Sequence, residues 1–86
     1  MKNVRKYAEI IPELFALRLK ELRTDYDITQ NDLAFSLGVT RVHIVRLENC
    51  KTLPTVTLVK LISLTYNVNT EWLCGFSEDK TLLPFR

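Results

Sequence analysis

Residues 29–48, TQNDLAFSLGVTRVHIVRLE, decide the fold, because they set two short helical patterns on either side of a turn too tight to be an ordinary loop. Thr29 is a good N-cap, and Asp32 three residues on places a carboxylate where it can reach back to the cap amide and favour the helix dipole. Leu33, Ala34 and Leu37 then share one apolar face. Gly38 follows, where the left-handed conformation that ends a helix carries no steric cost. Val39 is the apolar residue of the turn, Thr40 caps again, and Ile44 and Leu47, three apart, give the second helix its inward side.

Helices joined so tightly must cross at a large angle, and Ala34 is small enough to let the two backbones approach at such a crossing. The second helix then projects from the body with Arg41, His43 and Arg46 outward. A projecting, polar and mostly cationic helix fits the major groove of B-DNA.

Working outward, the run over residues 15–75 resembles the phage repressor and Cro-type (XRE) helix-turn-helix family of transcriptional regulators. The segments that carry the resemblance are RLKELR (residues 18–23), TQNDLAFSLGVT (29–40), IVRLEN (44–49), Pro54 with Thr55, and NVNTEWLCG (67–75), in the family's order and spacing. The resemblance implies an all-α fold, a compact five-helix lambda-repressor-like DNA-binding domain over residues 12–76. An N-terminal extension (1–11) would precede it and an apolar tail (77–86) follow.

Composition allows this and excludes much else. A chain of 86 residues makes one domain with a modest core. With 47% hydrophobic and 26% charged residues it has an ordinary globular composition, without a long apolar run for a membrane span or signal peptide, so the expected location is cytoplasmic. The net charge of +2 argues little about nucleic acid, but its distribution argues more. Between residues 40 and 63, Arg41, Arg46, Lys51 and Lys60 stand against Glu48 alone, while acidic residues gather at Asp25, Asp27, Glu71, Glu78 and Asp79. Such a basic stretch suits a phosphate-binding face, although a solvated charged surface has the same composition.

Cys50 and Cys74 are isolated thiols with no companion ligands, read as reduced and incidental, and His43 faces outward rather than toward a nucleophile. With two glycines there is no phosphate-binding glycine loop. The expectation is no enzyme, no metal and no cofactor.

In chain order, Val4, Tyr7, Ile11 and Leu14 keep helical spacing through the N-terminal extension, and Pro12 either starts a helix or kinks a longer one. Lys2, Arg5 and Lys6 are either a DNA-contacting arm or a solvated basic terminus. Phe15, Leu19 and Leu22 mark the core stripe of a helix over about residues 13–25. The resemblance implies that Arg23 pairs with Glu48 at the end of the recognition helix, fixing that helix against the first. Asp27, Cys50 and Asn67 fall where the family favours a helix-ending glycine; Asp and Asn tolerate positive φ and Cys does so poorly, so Asn49 is a candidate to take that conformation in place of Cys50.

Thr55 caps a further helix with Val56, Val59, Ile62 and Tyr66 expected inward, and Leu58, Leu61 and Leu64 form a second stripe where the family is usually polar. The N-terminal segment, the tail over residues 82–85 or a second copy is expected to cover them, and together with Leu82, Leu83 and Phe85 these leucines are the expected surface for a dimer or a protein partner. A short last helix begins after Asn69, with Trp72 and Leu73 as core anchors.

What the resemblance implies for function is sequence-specific binding of double-stranded DNA by a homodimer on a near-palindromic operator, as a repressor. Base contacts map to Thr40, Arg41, Val42, His43 and Arg46, and phosphate contacts to Thr29, Gln30, Asn49 and Lys51. A guanidinium can donate two bonds to guanine O6 and N7, so guanine-containing half-sites are expected. The alternative is a protein-interaction module, such as an antitoxin or a regulator that holds another protein through its leucines.

Overall fold

The computed structural model describes residues 10–81. Residues 1–9 of the N-terminal extension, including Lys2, Arg5 and Lys6, and the tail residues Leu82, Leu83 and Phe85 lie outside the described residues. Among the described residues the chain is all-helical: α1 (Pro12–Tyr26), α2 (Gln30–Leu37), α3 (Arg41–Glu48), α4 (Val56–Tyr66) and α5 (Thr70–Cys74). No helix among them is long and apolar enough to cross a membrane.

Local chemistry sets each boundary. Pro12 starts α1 at its first turn, where a missing N–H costs nothing, and Ile11 caps it without a side-chain bond. The Ile11 amide is instead spent on the Cys74 carbonyl at 3.0 Å, which ties the entry of α1 to the end of α5. That approach requires Gly75: at φ +98, a Cβ there would meet Ile11 at 3.0 Å. Thr29, Thr40 and Thr55 cap α2, α3 and α4 by accepting from the amide three residues on, and Asn69 caps α5 from the Glu71 amide. At α2 the bond is returned, Thr29 donating its own amide to Asp32 Oδ2 at 3.0 Å, which completes a capping box. Asp27 and Asn67, with φ of 55 and 56, end α1 and α4 in the left-handed region that short polar side chains tolerate.

The core forms where the stripe Phe15, Leu19 and Leu22 of α1 meets Leu33, Ala34 and Leu37 of α2, Ile44 and Leu47 of α3, and Val59 and Ile62 of α4. Ala34 is 3% exposed at the crossing, as its size allows. α4 corrects one sequence expectation. Val56 is 64% exposed, not inward, and Leu58 is buried, which leaves only Leu61 and Leu64 of its expected stripe on the surface. The inward face is centred among Leu58, Val59, Ile62, Ser63 and Tyr66, and Val56 lies about 90° round the helix from that centre. Ser63 is buried because its hydroxyl donates to the Val68 carbonyl just beyond the helix. Tyr66 bonds Ser36 through its hydroxyl, while its carbonyl accepts from the Tyr26 hydroxyl at 2.6 Å, joining α1, α2 and α4 at one corner.

The segment after α5 is held to the body. Val68 and Thr81 form an isolated antiparallel bridge, and the Asn69 amide donates to the Lys80 carbonyl at 2.8 Å. Lys80 then reaches Glu21 and Asp25 of α1 at 2.7 and 2.6 Å, which together raise its pKa above the ordinary lysine value. Beneath it Arg18, a buried cation, donates to the carbonyls of Trp72 and Ser77 and lies 5.2 Å from the Trp72 ring centroid.

Arg18→Met removes these donors, leaving the Ser77 carbonyl without its partner and the Trp72 carbonyl with the Gly75 amide alone, so unfolding in urea should show a loss of about 1–3 kcal/mol. Asp32 gives a pH signature. The Thr29 amide first, then its hydroxyl, hold the Asp32 carboxyl below the ordinary aspartate range. A depressed carboxyl stabilises the fold above the unfolded value and loses that contribution as pH falls through the folded one. Asp32→Asn should therefore lower the urea midpoint near pH 7, and the difference from the wild type should narrow as pH falls below the ordinary aspartate range.

Candidate nucleic-acid interface

α3 stands on a short base. Gly38, at φ 71, reverses the chain after α2, and the Val39 amide returns to the Ala34 carbonyl at 3.0 Å while its side chain packs on the core. Thr40 is extended, and its hydroxyl accepts from the His43 amide at 3.2 Å. With the start of α3 fixed, Ile44 and Leu47, 0% and 1% exposed, point inward as their spacing predicts. Thr40, Arg41, Val42 and Arg46 are exposed and His43 is half-buried. Of the five expected base-reading residues, Thr40 at the cap and Arg41, Val42 and Arg46 on the helix are thus open to solvent, with His43 partly so.

The end of α3 departs from expectation. Asn49 does not take the left-handed conformation; at φ −105 it continues out of the helix, and Cys50 adopts φ 59. The reason is the hydrogen-bond register. The Cys50 amide bonds the Leu47 carbonyl at 3.3 Å and the Lys51 amide the Arg46 carbonyl at 2.8 Å, and this pair of bonds requires the left-handed residue at position 50 whatever stands there. Asn49 and Lys51 are both exposed beside the helix end.

Arg23 and Glu48 meet as the resemblance implies. Nε and Nη2 of Arg23 donate to the two carboxylate oxygens of Glu48 at 2.7 and 3.0 Å, in a fork-to-fork pair. The Glu48 side chain is 2% exposed and that of Arg23 23%. The bond to Glu48, more than the carboxylate's field, raises the Arg23 pKa against the opposing effect of burial. The cation therefore persists across the neutral range. Sequence reasoning missed a third member: Gln30 Nε2 donates to Glu48 Oε1 at 3.0 Å. The Gln30 carboxamide thus belongs to the network, and Thr29 is engaged by Asp32. The groups at the start of α2 without an acceptor inside the helix are the first backbone amides, those of Gln30 and Asn31.

Electrostatically the site is one-sided. Glu48, the only carboxylate in α3, is buried against Arg23 and does not face solvent, so Arg41 and Arg46 present their charge with no acid on their own helix to oppose it. Among the described residues no group of three His, Cys, Asp or Glu could hold a metal ion.

Comparison with known proteins agrees with this geometry. A family model with the description Helix-turn-helix matches residues 19–73. Two proteins of Archaeoglobus fulgidus, each named an uncharacterized HTH-type transcriptional regulator, are each 36% identical over 63 residues, or 73% of this chain and 89% and 90% of their own lengths. No solved structure matches. The chain belongs to the XRE-type helix-turn-helix family of DNA-binding transcriptional regulators.

Removing one partner of a buried ion pair leaves the other uncompensated. Arg23→Met and Glu48→Met should each cost about 3–5 kcal/mol, with the double variant recovering part of the sum. Additive losses in a double-mutant cycle by urea unfolding would show that the pair carries no coupling.

Proposed function

We propose that the protein is a sequence-specific repressor that binds double-stranded DNA as a homodimer, placing one α3 in the major groove of each half of a near-palindromic operator. The observation that carries this reading is the exposed pair Arg41 and Arg46 on a helix whose only acid is buried and matched from behind. Arg41 and Arg46 are assigned to guanine O6 and N7, Thr40 and Val42 to thymine methyl groups, and His43 to a base edge beside them. Lys51 and Asn49 contact phosphate beyond the helix end, and the first amides of α2, at Gln30 and Asn31, hold a phosphate at its N-terminus. Dimerisation follows from reach: one recognition helix reads only about 4–6 base pairs, while two copies about one helical turn apart read a site long enough to be rare.

A second reading, a regulator that holds another protein as an antitoxin does, is favoured by Phe35. It lies 90% exposed on α2, away from the core, where neither packing nor DNA contact uses it. Co-purification of a non-identical chain, lost in Phe35→Ser, would support that role.

Selection of the purified protein against a random duplex pool tests the main reading. A two-fold symmetric motif with half-sites about one turn apart is expected. On that motif Arg41→Ala and Arg46→Ala should each cost about 1–3 kcal/mol and relax preference at one position. Lys51→Ala should weaken all sequences alike and reduce the salt slope by about 1. Equal losses on selected and random duplex for all three variants would defeat the assignment.

A further inference from the structure

Gln30 is the first residue of α2, and its backbone and its side chain are committed to different places. The backbone amide is one of those that the start of a helix leaves without an acceptor. The half-buried side chain turns to α3, where Nε2 donates to Glu48 Oε1 at 3.0 Å. A carboxylate oxygen only accepts, so the nitrogen of the carboxamide is the atom that must face it.

Glu48 therefore holds three hydrogen bonds on two oxygens. Arg23 takes one edge of the carboxylate, Nε on Oε2 at 2.7 Å and Nη2 on Oε1 at 3.0 Å, and Gln30 adds a second bond to Oε1. Two parallel bonds along one edge fix the carboxylate in register but let it tilt about that edge, and a bond from a third helix opposes the tilt. Among the described residues this is the one side-chain hydrogen bond between α2 and α3. It runs from the first residue of α2 to the last of α3, while the Gly38 turn joins the other ends. The two helices are thus tied at both ends.

On a duplex the separation between a phosphate and a base edge is set by the DNA, so a protein that holds both needs its anchor and its reader at a matched separation. Arg46 lies two residues before Glu48 in the last turn of α3, and Arg41 stands at the start, beside the turn. Play at the end of α3 displaces Arg46 and spares Arg41. We propose that Gln30 is a positioning residue for base recognition: its carboxamide fixes the end of α3 against the phosphate-holding start of α2, and so sets selectivity at the base that Arg46 meets without touching a base itself. This rests on the reading of the protein as a DNA-binding regulator that reads bases through α3. Phosphate contact then belongs to the Gln30 backbone and selectivity to its side chain.

Gln30→Met keeps the backbone amide and nearly the length of the side chain, and removes the donor. It should bind the selected duplex about five- to tenfold more weakly, toward the low end of what a lost bidentate base contact costs, and random duplex within about twofold of the wild type, with the salt slope unchanged. Replacing the base pair assigned to Arg46 should cost this variant less than it costs the wild type, while replacing the one assigned to Arg41 should cost both alike. In double-mutant cycles Gln30→Met should be non-additive with Arg46→Ala and additive with Arg41→Ala. Without DNA, the Leu47 and Glu48 amides should exchange faster in Gln30→Met than in the wild type. Equal weakening on selected and random duplex, with a shallower salt slope, would return the side chain to direct phosphate contact and overturn the proposal. A lower urea midpoint with wild-type selectivity would make the bond a structural one alone and overturn it as well. A wild-type protein with no base preference would instead defeat the DNA reading, while amide exchange would still report whether the bond holds the end of α3.

Discussion

A buried carboxylate governs the arrangement of the first three helices. Glu48 is 2% exposed, and an isolated charge at that depth would be neutralised or would unfold its surroundings. It survives because α1 supplies Arg23 and α2 supplies Gln30, so one side chain of α3 is satisfied only when all three helices are in place. The pair adds little net stability, since desolvating both ions offsets most of their attraction. What it adds is geometry. α3 is eight residues long and could not hold its own orientation by propensity. Pinned at its start by the Gly38 turn and at its end by Glu48, it is rigid at both termini, and Arg41 and Arg46 extend from a fixed frame. Rigid support is what bidentate base recognition needs, because a guanidinium displaced by an ångström no longer meets both guanine acceptors.

A second buried ion does the same work near the middle of α1. Arg18 donates to carbonyls of Trp72 and Ser77, and Lys80 lies over the same indole, 5.4 Å from its centroid, while paired to Glu21 and Asp25. α1 is thus the spine of the domain. One of its cations holds α3, another holds α5, and two of its acids hold the segment that follows. Glu21, Asp25 and Glu78 are spent on such contacts away from α3, so the near-neutral total conceals an uneven distribution of charge. Steering of DNA depends on that local field and not on the total.

What the sequence made legible was mostly local. Threonine caps, the apolar stripe Phe15–Leu19–Leu22 and the left-handed Asp27 and Asn67 depend on residues within a turn or two, where spacing is a direct physical constraint. Reading failed where the deciding partner is remote. Arg18 looks like any helix cation until the carbonyls more than fifty positions away are in place. The role of Gln30 depends on Glu48 in the same way. α4 failed for another reason: Val, Leu and Ile crowd so much of it that several faces satisfy helical spacing equally, and only packing chooses among them. Cys50 was misjudged because residue preference was weighed against position alone. The two terminal hydrogen bonds of α3 outweigh a left-handed cysteine's cost of about 1–2 kcal/mol. The outward placement of Arg41, Val42 and Arg46 was legible because helix phase is set by Ile44 and Leu47.

The apolar excess of α4 is best understood through the size of the domain. A chain this short has few ways to add a second function without adding an element. Its core already draws on α4 through Leu58, Val59, Ile62 and Tyr66, and each further leucine on that helix raises the risk of indiscriminate association. Leu64 and Val56 are retained on the surface nonetheless, separated by Lys60 on one ridge and bordered by Glu71 across the groove between α4 and α5. A charge set between two apolar groups limits pairing to a partner that brings the opposite charge at the matching place, which restrains nonspecific contact. The same logic operates at Glu48 inside the molecule. There the carboxylate matters less for the energy of its pair with Arg23 than for the arrangements it forbids.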